Sequence, residues 1–228
     1  MLPFSETVPA ILGSGKKGVV AVTGGGTAVI DQLLRRGGGS AVLLEAVVPY
    51  STNSFVEFVG GTPDKFVSST AAGHLPAAAY MRAAKLHGPD AFGLGVTCSL
   101  AKIGERAGRE HKAFLSLVYE AGVVEYTLLK MPDGREAQED FVATAAANLI
   151  ACHVAGMKSP KMAVNGTTQE IDAAEFSAVL AGVQPYTTYG QTSNVAVFPG
   201  SFNPLHDGHQ AIVEAVTAYT DSPVDLEI

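Results

Sequence analysis

Two histidines near the C-terminus have the most specific chemical spacing in this chain. His206 and His209 stand three residues apart, with Gly208 between them. Residues at this spacing share one side of a helical turn. A helix N-terminus offers unpaired N–H groups and the positive end of a dipole, which suits phosphate oxygens. We therefore predict a phosphate-binding turn in which both imidazoles donate hydrogen bonds to charge on a phosphoryl group.

Apolar stretches on both sides predict the elements that position this turn. Residues 195–198 are typical of a buried strand, a helical pattern runs from His206 to Tyr219, and residues 224–228 predict a second strand. An isolated pair of histidines at a helix start is more often a surface feature. Here a strand, the turn at Gly200-Ser201 and an intervening glycine occur together, which favours a nucleotide site.

Residues 194–228 resemble the nucleotidyltransferase superfamily with the HxGH signature, in particular the nicotinate and nicotinamide mononucleotide adenylyltransferases. The resemblance implies the first β-α unit of a Rossmann-like domain, with Mg²⁺ and ATP as cofactors of the complete domain. It also implies that His206 and His209 are catalytic, contacting the triphosphate and stabilising the transition state. The residues that would bind the nucleotide are Gly200, Ser201, Phe202, Asn203 and Gly208.

Charge is distributed unevenly along the chain. All 15 Lys and Arg lie at or before Lys161, whereas residues 162–228 contain eight Asp and Glu. Phosphoryl transfer depends mainly on positioning and charge neutralisation, and a nucleoside triphosphate brings about four negative charges. Family members carry a second, basic motif far downstream. We therefore expect residues 194–228 to begin a domain that this sequence does not complete, and to be inactive alone.

The composition predicts one complete hydrophobic core and part of another. The 228 residues are 47% hydrophobic, with a mean hydropathy of +0.22 and a formal net charge of −7. No uncharged apolar run approaches the roughly 18 residues of a membrane span, and no signal-peptide pattern opens the chain. Cys98 and Cys152 have no CxxC spacing, so no metal site is expected. We expect a cytoplasmic protein that binds a small-molecule nucleotide, and neither nucleic acid nor membrane.

Strands and helices alternate over residues 1–160, which predicts a layered α/β/α domain with a mixed sheet. The predicted strands are 18–22, 41–48, 91–97 and an antiparallel hairpin of 113–118 with 123–129. The predicted helices are 6–17, a segment through Ile30 and Leu34, 52–59, 71–86 and 136–155. Residues 161–193 are expected to form an amphipathic helix over 167–183 and a linker that leads to the segment 194–228.

Four short motifs of the first domain share an order and spacing with a known family. They are Thr23-Gly-Gly, Val47-Val-Pro-Tyr-Ser51, Gly93-Leu-Gly-Val-Thr97 and Asp133-Gly-Arg-Glu136. Together they resemble the C-terminal domain of the CinA family, the nicotinamide-nucleotide amidohydrolases. The resemblance implies a homo-oligomer and a residual amidase-like pocket. The residues of that pocket would be Thr23, Gly24, Gly25, Tyr50, Ser51 and Thr97.

Two positions that carry the family's chemistry are apolar in this chain. The usual loop reads Glu-Ser-Cys-Thr-Gly-Gly, with the serine as nucleophile, and alignment on Thr23 places Ala21 at that serine. The lysine usually found five residues after the tyrosine of Tyr50-Ser51 is Phe55. Covalent amide hydrolysis requires a nucleophile and a group that activates it. The resemblance therefore implies a degenerate amidohydrolase domain.

Several functions stay open from the sequence. The leading hypothesis is a protein of pyridine-nucleotide metabolism that joins this degenerate domain to an ATP-dependent nucleotidyltransferase. Alternatively, the first domain deamidates nicotinamide mononucleotide with an altered nucleophile such as Thr97 or Ser99, or it is a non-catalytic nucleotide-binding or oligomerisation domain. For the loop from Thr23 to Gly26, phosphate binding at a helix N-terminus and a tight turn are both open.

Overall fold

The structure is a computed structural model that describes residues 1–102, 104, 108–158, 168–172, 196–199, 207–220 and 224–227. The chain divides into two units, Met1–Pro185 and Tyr186–Ile228, and each is described by itself.

A six-stranded mixed sheet forms the centre of the first unit. Its strands are β1 (Lys17–Thr23), β2 (Leu43–Val47), β3 (Ala91–Ser99), β4 (Lys112–Tyr119), β5 (Gly122–Leu128) and β6 (Thr168–Asp172). Their order is β2-β1-β3-β4-β5-β6, in which β1 is parallel to β2 and β3 and the later pairs are antiparallel. Because helices cover both faces of β1 and β3, these strands are continuous apolar runs.

Among the described residues, five helices cover the two faces of this sheet. They are α1 (Phe4–Leu12), α2 (Ala28–Arg35), α3 (Thr52–Val59), α4 (Ser69–His87) and α5 (Arg135–His153), and a single 3₁₀ turn spans Gly39–Ala41. Helices α1, α2 and α5 pack together on one face, whereas α4, with α3 beside it, covers the other. The predicted layered α/β/α fold with a mixed sheet is confirmed.

Two predicted helices differ from the structure. The predicted helix over 6–17 ends at Leu12, because Gly13 and Gly15 follow and Lys17 joins β1. The predicted helix over 167–183 is wrong at Thr168–Asp172, which is a strand. This strand pairs antiparallel with β5, from Gly122 with Asp172 to Tyr126 with Thr168. Pairing with an open sheet edge overrides local helical periodicity, and the sheet continues past the expected domain end at residue 160.

Helix α4 packs directly on the backbone of β3. A Cβ added at Gly93 would overlap the backbone nitrogen of Tyr80 and the carbonyl of Pro76, and one at Gly95 would overlap the ring of Pro76. Strand β3 can carry the helix at this distance only because both positions lack side chains. This close approach fixes the distance between α4 and the sheet.

The described part of the second unit is a strand, a helix and a strand. Strand β7 (Ala196–Pro199) and strand β8 (Val224–Glu227) pair in parallel, and helix α6 (Asp207–Thr220) lies between them in the chain. The predicted β-α unit at the start of this segment is confirmed. The predicted linker over 185–193 lies outside the described residues.

Among the described residues, none of the helices combines the length and the apolar character that crossing a bilayer requires.

We predict that Gly93→Ala destabilises the first unit by about 3 kcal/mol, because the new methyl group must displace helix backbone rather than a flexible side chain. Gly73→Ala is the matched control within α4, where a Cβ would meet only the Glu125 carboxylate, at 3.5 Å. That control should be stabilised by about 1 kcal/mol, since alanine is the better helix former. Urea unfolding midpoints measure both, and an unchanged midpoint for Gly93→Ala would contradict the close packing.

A second prediction concerns Glu125, which pairs across the strands with Ser116 and lies against α4 at Gly73. Burial raises the pKa of Glu125 above its ordinary value of 4.5. The folded state therefore favours the protonated acid, and this contribution to stability is lost as the pH rises through the raised pKa. Glu125→Gln should gain stability relative to the unsubstituted chain as the pH rises from 4 to 7. Glu57→Gln, at an exposed position, should show no such trend in urea midpoints.

Candidate functional site

The carboxyl ends of the three parallel strands meet at one edge of the sheet. The glycine loop Thr23–Thr27 follows β1, residues 48–51 follow β2, and Thr97 lies near the end of β3. Crevices at this edge are the usual ligand sites of α/β sheets. Two adjoining cavities lie here, of about 230 and 510 Å³, and Gly24 and Tyr50 line both.

All six residues of the predicted residual pocket line these cavities. Thr23, Ser51 and Thr97 line the smaller one, and Gly25 lines the larger one with Thr27. The structure thus brings together residues that are up to 74 positions apart in the sequence. Their role as a binding site stays a prediction.

Glu139 of α5 fills the N-terminal end of α2. Its Oε2 accepts a hydrogen bond from the backbone nitrogen of Gly26 at 2.8 Å. Its Oε1 accepts from Thr27 Oγ1 at 2.6 Å and from the backbone nitrogen of Ala28 at 3.3 Å. This is the position at which a helix N-terminus would bind a phosphate. The chain's own carboxylate takes it, which favours the tight-turn interpretation of the glycine loop over phosphate binding.

Close contacts explain why this loop is glycine-rich. Gly24 has φ +82°, and a Cβ there would overlap the carbonyl oxygen of Cys98. A Cβ at Gly25 would lie 2.7 Å from Glu139 Oε2 and would overlap Leu100. The loop therefore needs glycine at both positions to pass between β3 and the Glu139 carboxylate.

Two hydroxyl groups at this edge, those of Thr97 and Ser51, have structural hydrogen-bond partners. Thr97 is 1% exposed, and its Oγ1 donates a hydrogen bond to the carbonyl of Phe66 at 2.6 Å. Ser51 is the N-cap of α3, where its Oγ accepts from the backbone nitrogen of Ser54 at 3.2 Å. Neither hydrogen bond involves a base that would activate the oxygen for attack.

Cys98 is not suited to act as a nucleophile at this edge of the sheet. Burial, assisted by the negative charge of Glu139, raises the pKa of its thiol to about 12. The thiolate is the reactive form, so this buried cysteine is inert near neutral pH. Its Sγ lies 3.7 Å from the carbonyl oxygen of Thr23. Cys98 is thus a core residue, as the sequence indicates.

Ala21 and Phe55 lie in one apolar cluster. Ala21 is fully buried and Phe55 is 2% exposed, and both belong to the cluster between the sheet and α4 that includes Leu75. Across the strands, Ala21 pairs with Val47 of β2 and with Gly95 of β3. Position 21 therefore lies within an apolar cluster and carries no hydroxyl.

The two adjoining cavities together form a cleft. Three side chains of α5 shape this cleft, and the sequence analysis did not assign them to it. Arg135 donates to the carbonyls of Ala101 and Gly24 at 3.2 Å each. Buried Gln138 accepts from the backbone nitrogen of Ala101 at 2.7 Å and donates to the carbonyl of Pro132 at 3.0 Å. The third is Glu139. Only Arg135 belongs to one of the four short motifs. No local sequence pattern indicates that Arg135 and Glu139 would contact the glycine loop, which lies more than 100 positions earlier in the chain.

The HxGH segment is only partly described. Gly208 is exposed and His209 is half-buried in the first turn of α6. The predicted residues Gly200, Ser201, Phe202, Asn203 and His206 lie outside the described residues. The convergence of the two imidazoles on a phosphate therefore stays a prediction.

His153, the histidine on the apolar side of α5, has structural partners. His153 lies in the last turn of α5, with Tyr126 Oη 3.3 Å from its Nε2 and the ring of Tyr119 in edge contact. Within the described ranges, no group of three or more His, Cys, Asp or Glu is arranged to hold a metal ion.

Comparisons with known proteins show the fold. No family model matches the chain, and a search of curated proteins finds no relative. Among solved structures, the competence/damage inducible protein CihA from Agrobacterium tumefaciens superposes with a TM-score of 0.54 at 22% identity. That match covers 66% of this chain and 97% of the other.

Two further structures give the same result. The competence damage-inducible protein A from Klebsiella pneumoniae has a TM-score of 0.52 at 14% identity, over 68% of this chain and 96% of that one. A competence-damaged protein (CinA) superfamily protein from Escherichia coli has a TM-score of 0.51 at 13% identity, over 65% and 90%. The chain therefore contains a domain with the fold of the CinA superfamily structures.

Proposed function

We propose that the first unit binds a pyridine nucleotide at the carboxyl edge of its sheet without hydrolysing it. We further propose that residues 194–228 begin a nucleotidyltransferase domain that uses ATP and Mg²⁺ on a mononucleotide. The observation that carries the first proposal is the burial of Ala21 and Phe55 in one apolar cluster. In the family that the sequence resembles, these two positions hold the nucleophile and its activating lysine.

The remaining groups of the cleft support binding rather than catalysis. Hydrolysis through a covalent intermediate needs a nucleophile within hydrogen-bond reach of a base. In the described part of the cleft, Thr97 is buried and donates to a backbone carbonyl, Ser51 caps a helix, and burial raises the pKa of the Cys98 thiol. The Thr27 hydroxyl donates to the Glu139 carboxylate, whose oxygens also accept from the backbone nitrogens of Gly26 and Ala28, so this pair holds the start of α2. A cavity of about 510 Å³ with a partly polar lining is nevertheless large enough for a small ligand.

The test of the first proposal is incubation of the protein with nicotinamide mononucleotide. We expect ligand-dependent thermal stabilisation, since a ligand that binds only the folded state raises the melting temperature, and no release of ammonia. Tyr50→Ala should reduce the stabilisation, because Tyr50 lines both cavities. Leu86→Ala, an exposed apolar residue away from the cleft, should leave it unchanged.

Two results would contradict the proposed binding without hydrolysis. Ammonia release from the mononucleotide, abolished by Thr97→Ala, would show an active deamidase with an altered nucleophile. Absence of any stabilisation by pyridine nucleotides would show that the cleft does not bind them. Either result overturns the proposal for the first unit.

The second proposal is tested on the protein expressed from the whole reading frame that contains this sequence. We expect ATP-dependent release of pyrophosphate with a mononucleotide, and a fall in kcat of about 10²–10³ for His209→Ala, the usual effect of removing a donor to transition-state charge. His74→Ala, an exposed histidine of the first unit, is the matched control. An unchanged kcat for His209→Ala would contradict the assigned role.

A further inference from the structure

We propose that a groove between α3 and α4 is the contact surface between two copies of this chain, related by a two-fold axis. The groove belongs to the first unit and lies on the face of the sheet that α3 and α4 cover. The proposal goes beyond the proposed function, which concerns ligands at another edge of the sheet. An apolar lining, the local charge and a pair of opposite charges support it.

The groove is large and exposes apolar side chains. It has a volume of about 940 Å³ and is lined by residues of α3, residues of α4 and Val47 of β2. Phe58 of α3 is half-buried, and Met81 of α4 is 52% exposed. Exposed apolar surface that is rimmed by polar residues marks interaction sites. Aromatic residues and methionine are enriched at the centre of protein interfaces. The lining is therefore suited to burial against another protein surface.

One face of α4 and an open sheet edge meet at this groove. The α4 residues that line it recur at helical spacing, and they are His74, Ala77, Ala78, Met81, Arg82 and Lys85. The small side chains of Ala77 and Ala78 leave room for the close approach of another helix. Strand β2 ends the described sheet on this side, and none of its residues is fully buried. Because exposed sheet edges are usually covered, a contact here would protect the edge as well.

The charge of the groove permits self-association. The chain has a formal net charge of −7, and charge of one sign keeps proteins apart. Two copies therefore meet most easily where the local charge is not negative. Among the described residues that line the groove, Glu57 is the acid, whereas Arg82 and Lys85 are cations. Arg82 is already paired, since its Nη2 donates to Glu45 Oε1 at 2.7 Å.

The two remaining charges favour a second copy over any other occupant. Glu57 lies on α3 and Lys85 on α4, both are exposed, and neither makes a hydrogen bond or ion pair with a residue that the structure describes. A two-fold contact is self-complementary, so a contact between α3 of one copy and α4 of the other forms twice. One arrangement then pairs Glu57 with the partner's Lys85, and Lys85 with the partner's Glu57. A uniformly acidic or basic peptide would satisfy only one of these two charges.

The first test is the mass of the 228-residue chain in solution, measured by sedimentation over a range of concentrations. We expect a reversible species of twice the chain's mass of 23.5 kDa. Met81→Asp should raise the dissociation constant at least about tenfold, because it places a charge in the apolar centre of the contact. Leu86→Asp is the matched control, since Leu86 is an exposed apolar residue of α4 that does not line the groove. It should leave the dissociation constant unchanged.

The second test reverses the two charges. Glu57→Lys alone, or Lys85→Glu alone, places like charges in both pairs of the dimer, so each variant should dimerise about tenfold more weakly. An equimolar mixture of the two variants restores opposite charges in both pairs. It should form a heterodimer, identified by native mass spectrometry, with an affinity close to that of the unsubstituted chain. Asp133→Lys and Lys130→Glu, at exposed positions outside the groove, should have no effect alone or mixed.

Three results would overturn the proposal. The chain could stay a monomer at every concentration, which would leave the groove to a different partner or to none. It could dimerise with the same affinity in every variant, which would place the contact elsewhere on the chain. The mixture of Glu57→Lys and Lys85→Glu could fail to recover, which would show that these residues do not meet. Recovery in the mixture, in contrast, excludes misfolding as the reason that the single variants dissociate. None of these results bears on nucleotide binding, so the proposed function is tested separately.

Discussion

The carboxylate of Glu139 is the contact on which the candidate site depends. It joins α5 to the start of α2 and to the glycine loop, through hydrogen bonds to Gly26, Thr27 and Ala28. The three donors are the backbone N–H groups of Gly26 and Ala28 and the Thr27 hydroxyl, and the N–H of Ala28 is one that a helix start leaves unpaired. The same contact fills the place of an anion and adds negative charge to the cavity. One interaction therefore sets both the geometry and the polarity of the cleft.

Apolar residues at two positions of this domain support its fold. The serine and lysine positions of the resembling family lie inside the apolar cluster beneath α4, where Ala21 and Phe55 bury hydrocarbon. Apolar residues at buried positions stabilise the layer, whereas an unpaired hydroxyl or ammonium group there would cost free energy. Solved structures at 13–22% identity share the fold of this domain.

Much of the fold was predictable because its signals are local. Continuous apolar runs indicated β1 and β3, and helical periodicity indicated α5. The strand β6 was missed, because residues 168–172 pair only with an edge that β5 supplies from 40 or more positions earlier in the chain. The resemblance to a known family placed Thr23, Tyr50 and Thr97 in one pocket. Glu139 could not be assigned to this pocket from the sequence. It is an acidic residue in the second turn of a helix, and no residue near it in the chain indicates which group it will contact.

The sequence by itself determined the alternation of strands and helices, the absence of a serine at position 21 and the acidic character of residues 162–228. These are properties of residue type and spacing, which do not depend on distant contacts. Only the tertiary structure decided that Glu139 occupies the start of α2 and that Ala21 and Phe55 share one cluster. The physical reason is that burial, hydrogen bonding and charge at the cleft arise where segments far apart in the chain are packed together.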